Sequence, residues 1–174
     1  EKTDLKELWK APQFVVIGMC HLCAMVAVAN LRISRNVAFH TKILRQMKTR
    51  FYAWARSCPH ECSSKLALIE AEWASIHGRN QIARQKYTDA TLLAKGMENS
   101  QELAVAHERA MCHYIQVDPE AAIWHGQKAL DAYIDWGATV KADHLKHRLE
   151  RLFINYDCGH QGNDNHSTYF PSPS

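Results

Sequence analysis

Cys20 and Cys23, one helical turn apart, and the run Cys58-Pro59-His60-Glu61-Cys62 are the residues of this chain best suited to chemistry. Their thiolates and the imidazole of His60 would make a tetrahedral zinc site if the first helix met the turn before the third. The competing reading is structural: Cys20 and Cys23 sit inside an apolar helix, where free Cys behaves as a small buried hydrophobe. Six cysteines at 20, 23, 58, 62, 112 and 158 form no compact disulfide framework, which favours a reducing, cytoplasmic compartment. His144 and His147 with Asp143 can share one helix side, but eleven histidines make such pairs common by chance, so no role follows. No Cys/His pair has a spacing that marks a nucleophile. G-x-x-x-x-G-K-[ST], G-x-S-x-G, H-E-x-x-H and kinase signatures are missing from the sequence. Hence no catalytic, cofactor-binding or metal residue is assigned, and no enzyme is expected within these residues.

Whatever these groups do, helices must position them. Only seven Gly and five Pro occur in 174 residues, so loop chemistry is sparse and an all-α chain is expected. Apolar and charged fractions of 47% and 22% are ordinary for a globular domain with a real core. The spacing predicts about seven helices. The first covers residues 13–31 (QFVVIGMCHLCAMVAVANL), the most apolar stretch, followed by Arg32 and Arg35. It reads as a buried helix packed on both sides, because Gln13, His21 and Asn30 interrupt it; the alternative is a membrane span. The second runs from Val37 to Ala55, with Phe39, Ile43, Leu44, Met47, Phe51 and Trp54 on one apolar face, and Cys58-Pro59 stops it.

The third, Glu61 to His77, aligns Cys62, Leu66, Ile69, Trp73 and Ile76, and Gly78 ends it. Gln81 to Lys95 buries Ala83, Tyr87, Ala90 and Ala94, with Gly96 closing that fourth helix. Asn99 and Ser100 suit the start of a fifth, whose Leu103, Ala106, Ala110 and Tyr114 face inward. Asp118-Pro119-Glu120 is a strong start for a sixth, carrying Ala122, Ala129, Tyr133 and Trp136 before Gly137. Thr139 opens a seventh with Val140, Leu145, Leu149, Leu152 and Phe153 on its buried side. From Asp157 the chain turns polar and rich in turn formers, so 1–156 reads as the helical domain and 157–174 as a disordered tail.

Charge is unevenly spread. Residues 1–60 carry ten Lys/Arg against three acids, and residues 61–174 eleven against fifteen; no Asp or Glu lies between Glu7 and Glu61. Such a split fits an acidic partner for the front half, or two halves facing different neighbours. Nucleic acid is disfavoured because the basic residues lack a reading motif. Glu1 stands in place of an initiator Met, which points to a fragment or processed product.

The helices repeat in pairs. Ala71, Gly78, Ala83, Tyr87 and Ala90 find counterparts 39 residues later at Ala110, Val117, Ala122, Gly126 and Ala129. Small residues recur where two helices cross closely, and the interval lies between TPR and HEAT/armadillo lengths. Ala71…Gly78…Ala83…Tyr87…Ala90 resembles the small/small/aromatic/small pattern of a TPR, with Ala67 where a Trp is usual and Gly126 where the second unit would carry an aromatic. Over residues 58–153, CPHECSSKLALIEAEWASIHGR, ARQKYTDATLLAKGMENSQELAVAHERAMCHY and AAIWHGQKALDAYIDWGATVKADHL resemble the helical-repeat arm of large signalling proteins. In that group an AAA-type ATPase module precedes the arm, and a sensor with a histidine kinase or nucleotide cyclase follows. Lys65, Ala71-Glu72, Gly78, Tyr87, Ala90, Glu102-Leu103-Ala104, Glu108, Tyr133, Trp136-Gly137-Ala138 and Lys141 carry the resemblance. The same resemblance makes Cys58-Pro59 an ordinary X-Pro turn.

The resemblance implies a TPR-like antiparallel helix-pair solenoid that regulates an adjacent ATPase or kinase domain, or docks a partner peptide in its concave groove. The alternatives are a membrane-anchored adaptor using residues 13–31 as a span, and a zinc-binding helical protein using Cys20, Cys23, Cys58, His60 and Cys62.

Overall fold

Seven helices and no strand make up the described residues, 13–161, of the computed structural model: α1 (Gln13–Arg32), α2 (Val37–Ser57), α3 (Pro59–Ile76), α4 (Asn80–Gly96), α5 (Ser100–Tyr114), α6 (Pro119–Trp136) and α7 (Thr139–Gln161). The chain is therefore all-α, as its composition predicts. α7 continues past Asp157 to Gln161, and the rest of the expected tail, 162–174, lies outside the described residues, as do residues 1–12.

Local chemistry explains most boundaries. The Asn99 side chain accepts from the Glu102 amide (3.0 Å) and Asp118 from the Ala121 amide (3.1 Å), each satisfying an orphan donor of a first helical turn. Gly78 and Gly137, at φ of 68° and 81°, end α3 and α6 in the left-handed conformation. Each turn is closed by the following amide reaching back: Arg79 N to Ala74 O and Ala138 N to Tyr133 O, both 2.9 Å. Two boundaries differ from expectation. Pro59 opens α3 rather than only closing α2, because a first-turn residue has no intrahelical N–H bond to lose. Gly96 stays helical, and the left-handed residue after α4 is Glu98, at φ 53°.

Each helix packs on its neighbour in sequence, most extensively α3 on α4 and α5 on α6; α3 also touches both α1 and α5. Two apolar clusters result. One joins α1 and α2 to Cys62 and Ile69 of α3, with Leu44, Phe51 and Val28 fully buried. The other runs from Ala67, Leu68 and Ala71 of α3 through Tyr87, Met111 and Tyr133 to Leu145 and Leu149 of α7. α3 is therefore buried on two sides, and the one-stripe reading of its sequence captured only the side facing α1 and α2.

Small residues set the close crossings. Ala71, Ala83 and Ala90 are buried, and so are Ala110, Ala122 and Ala129 one interval later. A Cβ on Gly126 would lie 2.3 Å from Leu149 Cδ2 and 2.9 Å from Met111 Sδ, so those side chains fill the space an aromatic would take.

Four residues expected inside are outside. Phe39 is 53% exposed and Val140 82%, and Trp136 and Phe153 are also exposed. Phe39, Val140 and Trp136 lie at or near a helix end, where the apolar spacing continues beyond the neighbour that could cover it. α1 is likewise not packed on both sides: Ile17, Ala24 and Val28 face the core, while Phe14, Met19 and Leu22 face outward.

Candidate functional site

α1, α3 and α5 stand side by side and leave a groove of about 720 Å³ between them. Val15, Met19, Leu22 and Met25 of α1, Leu68 of α3 and Val105 of α5 give it apolar walls. Charged residues of α3, α5 and α7 form the opposite part: Lys65, Glu102, Glu108, Arg109 and Lys141. A second, more open depression of about 670 Å³ lies between α3 and α4 beside Leu92 and Leu93.

Several polar clusters tie the helices together, among them Glu70 of α3 with Tyr52 of α2 and Lys86 of α4. Of the others, the first is centred on the Glu72 carboxylate, whose side chain has no exposed surface. Arg109 donates to it through Nε (2.7 Å) and Nη2 (3.1 Å), Arg32 through Nη2 (2.7 Å), and the Tyr87 hydroxyl at 3.0 Å. Burial pushes the Glu72 carboxyl up, but the hydrogen bonds and charges of Arg109 and Arg32 outweigh it and hold it below the usual carboxylate range. Arg32 Nη2 also donates to Ser75 Oγ (3.1 Å), which lies 2.9 Å from His113 Nδ1.

In the second cluster Lys65 and Ser64 of α3 donate to Glu102 of α5. His21 of α1 faces this pair; burial and then the Lys65 charge push its imidazole down to about 4, and its Nε2 is buried without a hydrogen-bond partner. In the third, Glu108 accepts from the Tyr133 hydroxyl and from Lys141 Nζ (3.1 Å). Both groove carboxylates are thus neutralised by lysines, an arrangement that fixes side chains in place rather than freeing one for proton transfer.

A fourth polar feature lies between α5 and α6. His107 Nδ1 and His125 Nδ1 are 2.9 Å apart, with Tyr114 stacked on His125. Only one nitrogen can carry the shared proton. Burial, reinforced for His107 by His125, pushes both imidazoles down to about 4.

The five zinc candidates do not converge. Cys20 and Cys62 are buried, Cys23 is exposed, and His60 is exposed with Glu61 3.9 Å away. Burial pushes the Cys62 thiol up to about 11, away from the thiolate a metal needs. Among the described residues no three His, Cys, Asp or Glu side chains are grouped to hold an ion. His147 pairs with Glu150 at 3.2 Å instead of joining His144.

Sequence reasoning gave no chemical role to Glu72, Arg109 or the His107–His125 pair. A signal for the first was present: Glu72 stands between Ala71 and Ala74 on a stripe of small buried residues, where a carboxylate needs a partner. The partners come from other helices, and spacing cannot name them. Other polar side chains also meet across helices: Lys65 meets Glu102, Tyr87 meets Glu72, and Glu108 meets Tyr133 and Lys141. Comparison with protein-family models, curated proteins and solved structures finds no match.

Proposed function

We propose that this chain is a TPR-like antiparallel helix-pair solenoid acting as a non-catalytic interaction module, the regulatory arm of a larger signalling ATPase or kinase in a reducing, cytoplasmic setting. The observation that carries the reading is the groove itself: apolar walls from α1, α3 and α5, beside carboxylates already held by lysines. Such a surface accepts the apolar face of a peptide or helix and offers fixed charges at its rim, while the buried Glu72 network keeps alternate helices at a constant spacing. The cross-helix pairs Lys65–Glu102 and Glu72–Arg109 span 37 residues each, close to the 39-residue interval of the sequence, as expected of neighbouring repeat units. Five free cysteines among the described residues agree with a reducing compartment.

Selection of the full chain against a displayed library of amphipathic helical peptides tests the groove. Binders are expected whose affinity falls in Val105→Lys, inside the groove, and is kept in Ile134→Lys, outside it. Binders indifferent to Val105→Lys, or no binders, would refute the groove reading. The parent is tested separately by the transcript: a P-loop ATPase module in frame upstream supports the regulatory arm, and a frame without one removes it.

A further inference from the structure

Among the described residues α1 packs mainly on α2 and α3. One side of it is locked into the domain, with Ile17, Ala24 and Val28 buried against the cluster of Leu44, Phe51 and Ile69. The other side is open. Val15, Met19, Leu22 and Val26 recur at three- and four-residue steps, each 40% exposed or more, and Ile33 in the α1–α2 turn extends the same ridge at 68%. Phe39, just beyond the turn, adds an exposed aromatic.

α1 is apolar and long enough to cross a bilayer. To do so it would have to withdraw its buried side from the core, so the folded domain keeps it lying along the surface. Charge then selects the surface. From Leu8 to His60 there is no acidic residue. Arg35 in the turn and Lys42 in the first turns of α2 are exposed and form no ion pair among the described residues. A ridge of large apolar side chains with basic groups at one end, and no acid within α1, the turn or α2, matches the interface of an anionic bilayer. There apolar side chains enter the headgroup boundary and Lys/Arg meet the negative surface potential.

We infer that the open face of α1 with the α1–α2 turn is a peripheral docking surface for an anionic lipid bilayer, the helix lying in the membrane plane. This is distinct from a span; Val15, Met19 and Leu22 at the start of the ridge also wall the groove, and Val26, Ile33 and Phe39 carry the face beyond it.

Flotation of the full chain with phosphatidylcholine vesicles, with and without about 30% phosphatidylserine, tests it. Binding is expected to be at least ~10-fold stronger to the anionic vesicles and weakened by salt, since each basic residue near such a surface is worth about 1 kcal/mol. Val26→Glu, an exposed position, should lose binding with unchanged helicity and melting. Arg35→Glu/Lys42→Glu should lose it independently, and Val140→Glu on α7 should keep it. Equal binding to neutral vesicles that resists salt would mean insertion by hydrophobicity alone and overturn the proposal. No vesicle binding would overturn it too, and a dimer abolished by Val26→Glu would reassign the face to self-association.

Discussion

Glu72 is the residue most exposed to mutation, because it is a buried charge held by two guanidiniums and a phenol. In Glu72→Gln, Arg109 and Arg32 face a neutral amide. Breaking a buried pair costs about 3–5 kcal/mol, and the partial exposure of both arginines places this variant near the lower end. Arg84→Ala, which breaks the exposed pair with Asp118, is expected to cost at most about 1 kcal/mol. Urea unfolding of the two variants checks the contrast, and equal losses would show that Glu72 is not the structural centre. The imidazoles give a second test. His21, His107 and His125 have folded values lowered from 6.5 to about 4, so between those values the unfolded chain binds protons that the native chain does not. Their contribution is complete above the unfolded value and is lost as pH falls through this window. Glu72 and Glu108, held below the ordinary carboxylate range, lose theirs at still lower pH. Tm should therefore be flat near neutrality, fall steadily on acidification, and fall again above the ordinary thiol value of 9.0, where Cys62 ionises first in the unfolded chain. The fall on acidification should be shallower in His107→Gln/His125→Gln, whereas an unchanged slope would show that this pair titrates normally.

At the scale of helices, Gly126 decides how α5, α6 and α7 meet. Replacing a helical Gly by Ala normally favours the helix by about 0.5–1 kcal/mol. Here the new Cβ would collide with Leu149 and Met111, both buried, so the expected net effect is a loss of about 1–2 kcal/mol from overpacking. Gly126→Ala in a Leu149→Ala background should cost less than in the native chain, because the closer collision is gone and only the flexible Met111 thioether has to shift. If the two changes are additive, α7 does not pack against Gly126. The caps belong to this scale as well: Asn99 and Asp118 hold the first turns of α5 and α6, and each was legible in sequence because a cap needs only its own next three residues.

Across the whole molecule the two apolar clusters meet at α3, and this arrangement predicts graded rather than uniform stability. Leu44→Ala opens a cavity between α1, α2 and α3 and should cost about 2–5 kcal/mol there. Hydrogen exchange is expected to accelerate in α1 and α2 well before α6 and α7. Leu145→Ala, in the other cluster, should reverse the order. Equal acceleration everywhere in both variants would mean that the seven helices unfold as one unit. The uneven charge belongs to this scale too: the acid-free stretch from Leu8 to His60 includes α1, whose Met19, Leu22 and Val26 are exposed.

Sequence alone determined the helices, because periodicity, caps, Gly and Pro act within a few residues: Gly78, Gly137 and Asp118-Pro119 stand at the boundaries they announce. It also marked the small residues at the crossings, since Ala71, Ala83 and Ala90 recur with their counterparts at a fixed interval. Tertiary structure alone decided which side of each helix finds a neighbour. α1 and Phe39 read as core because apolar spacing records a preference for burial, whereas burial itself depends on whether another helix arrives. The partners of Glu72 and of His107 lie on other helices, at separations no local pattern encodes. The five cysteine and histidine positions had suitable ligand types, but helix packing points them into different environments.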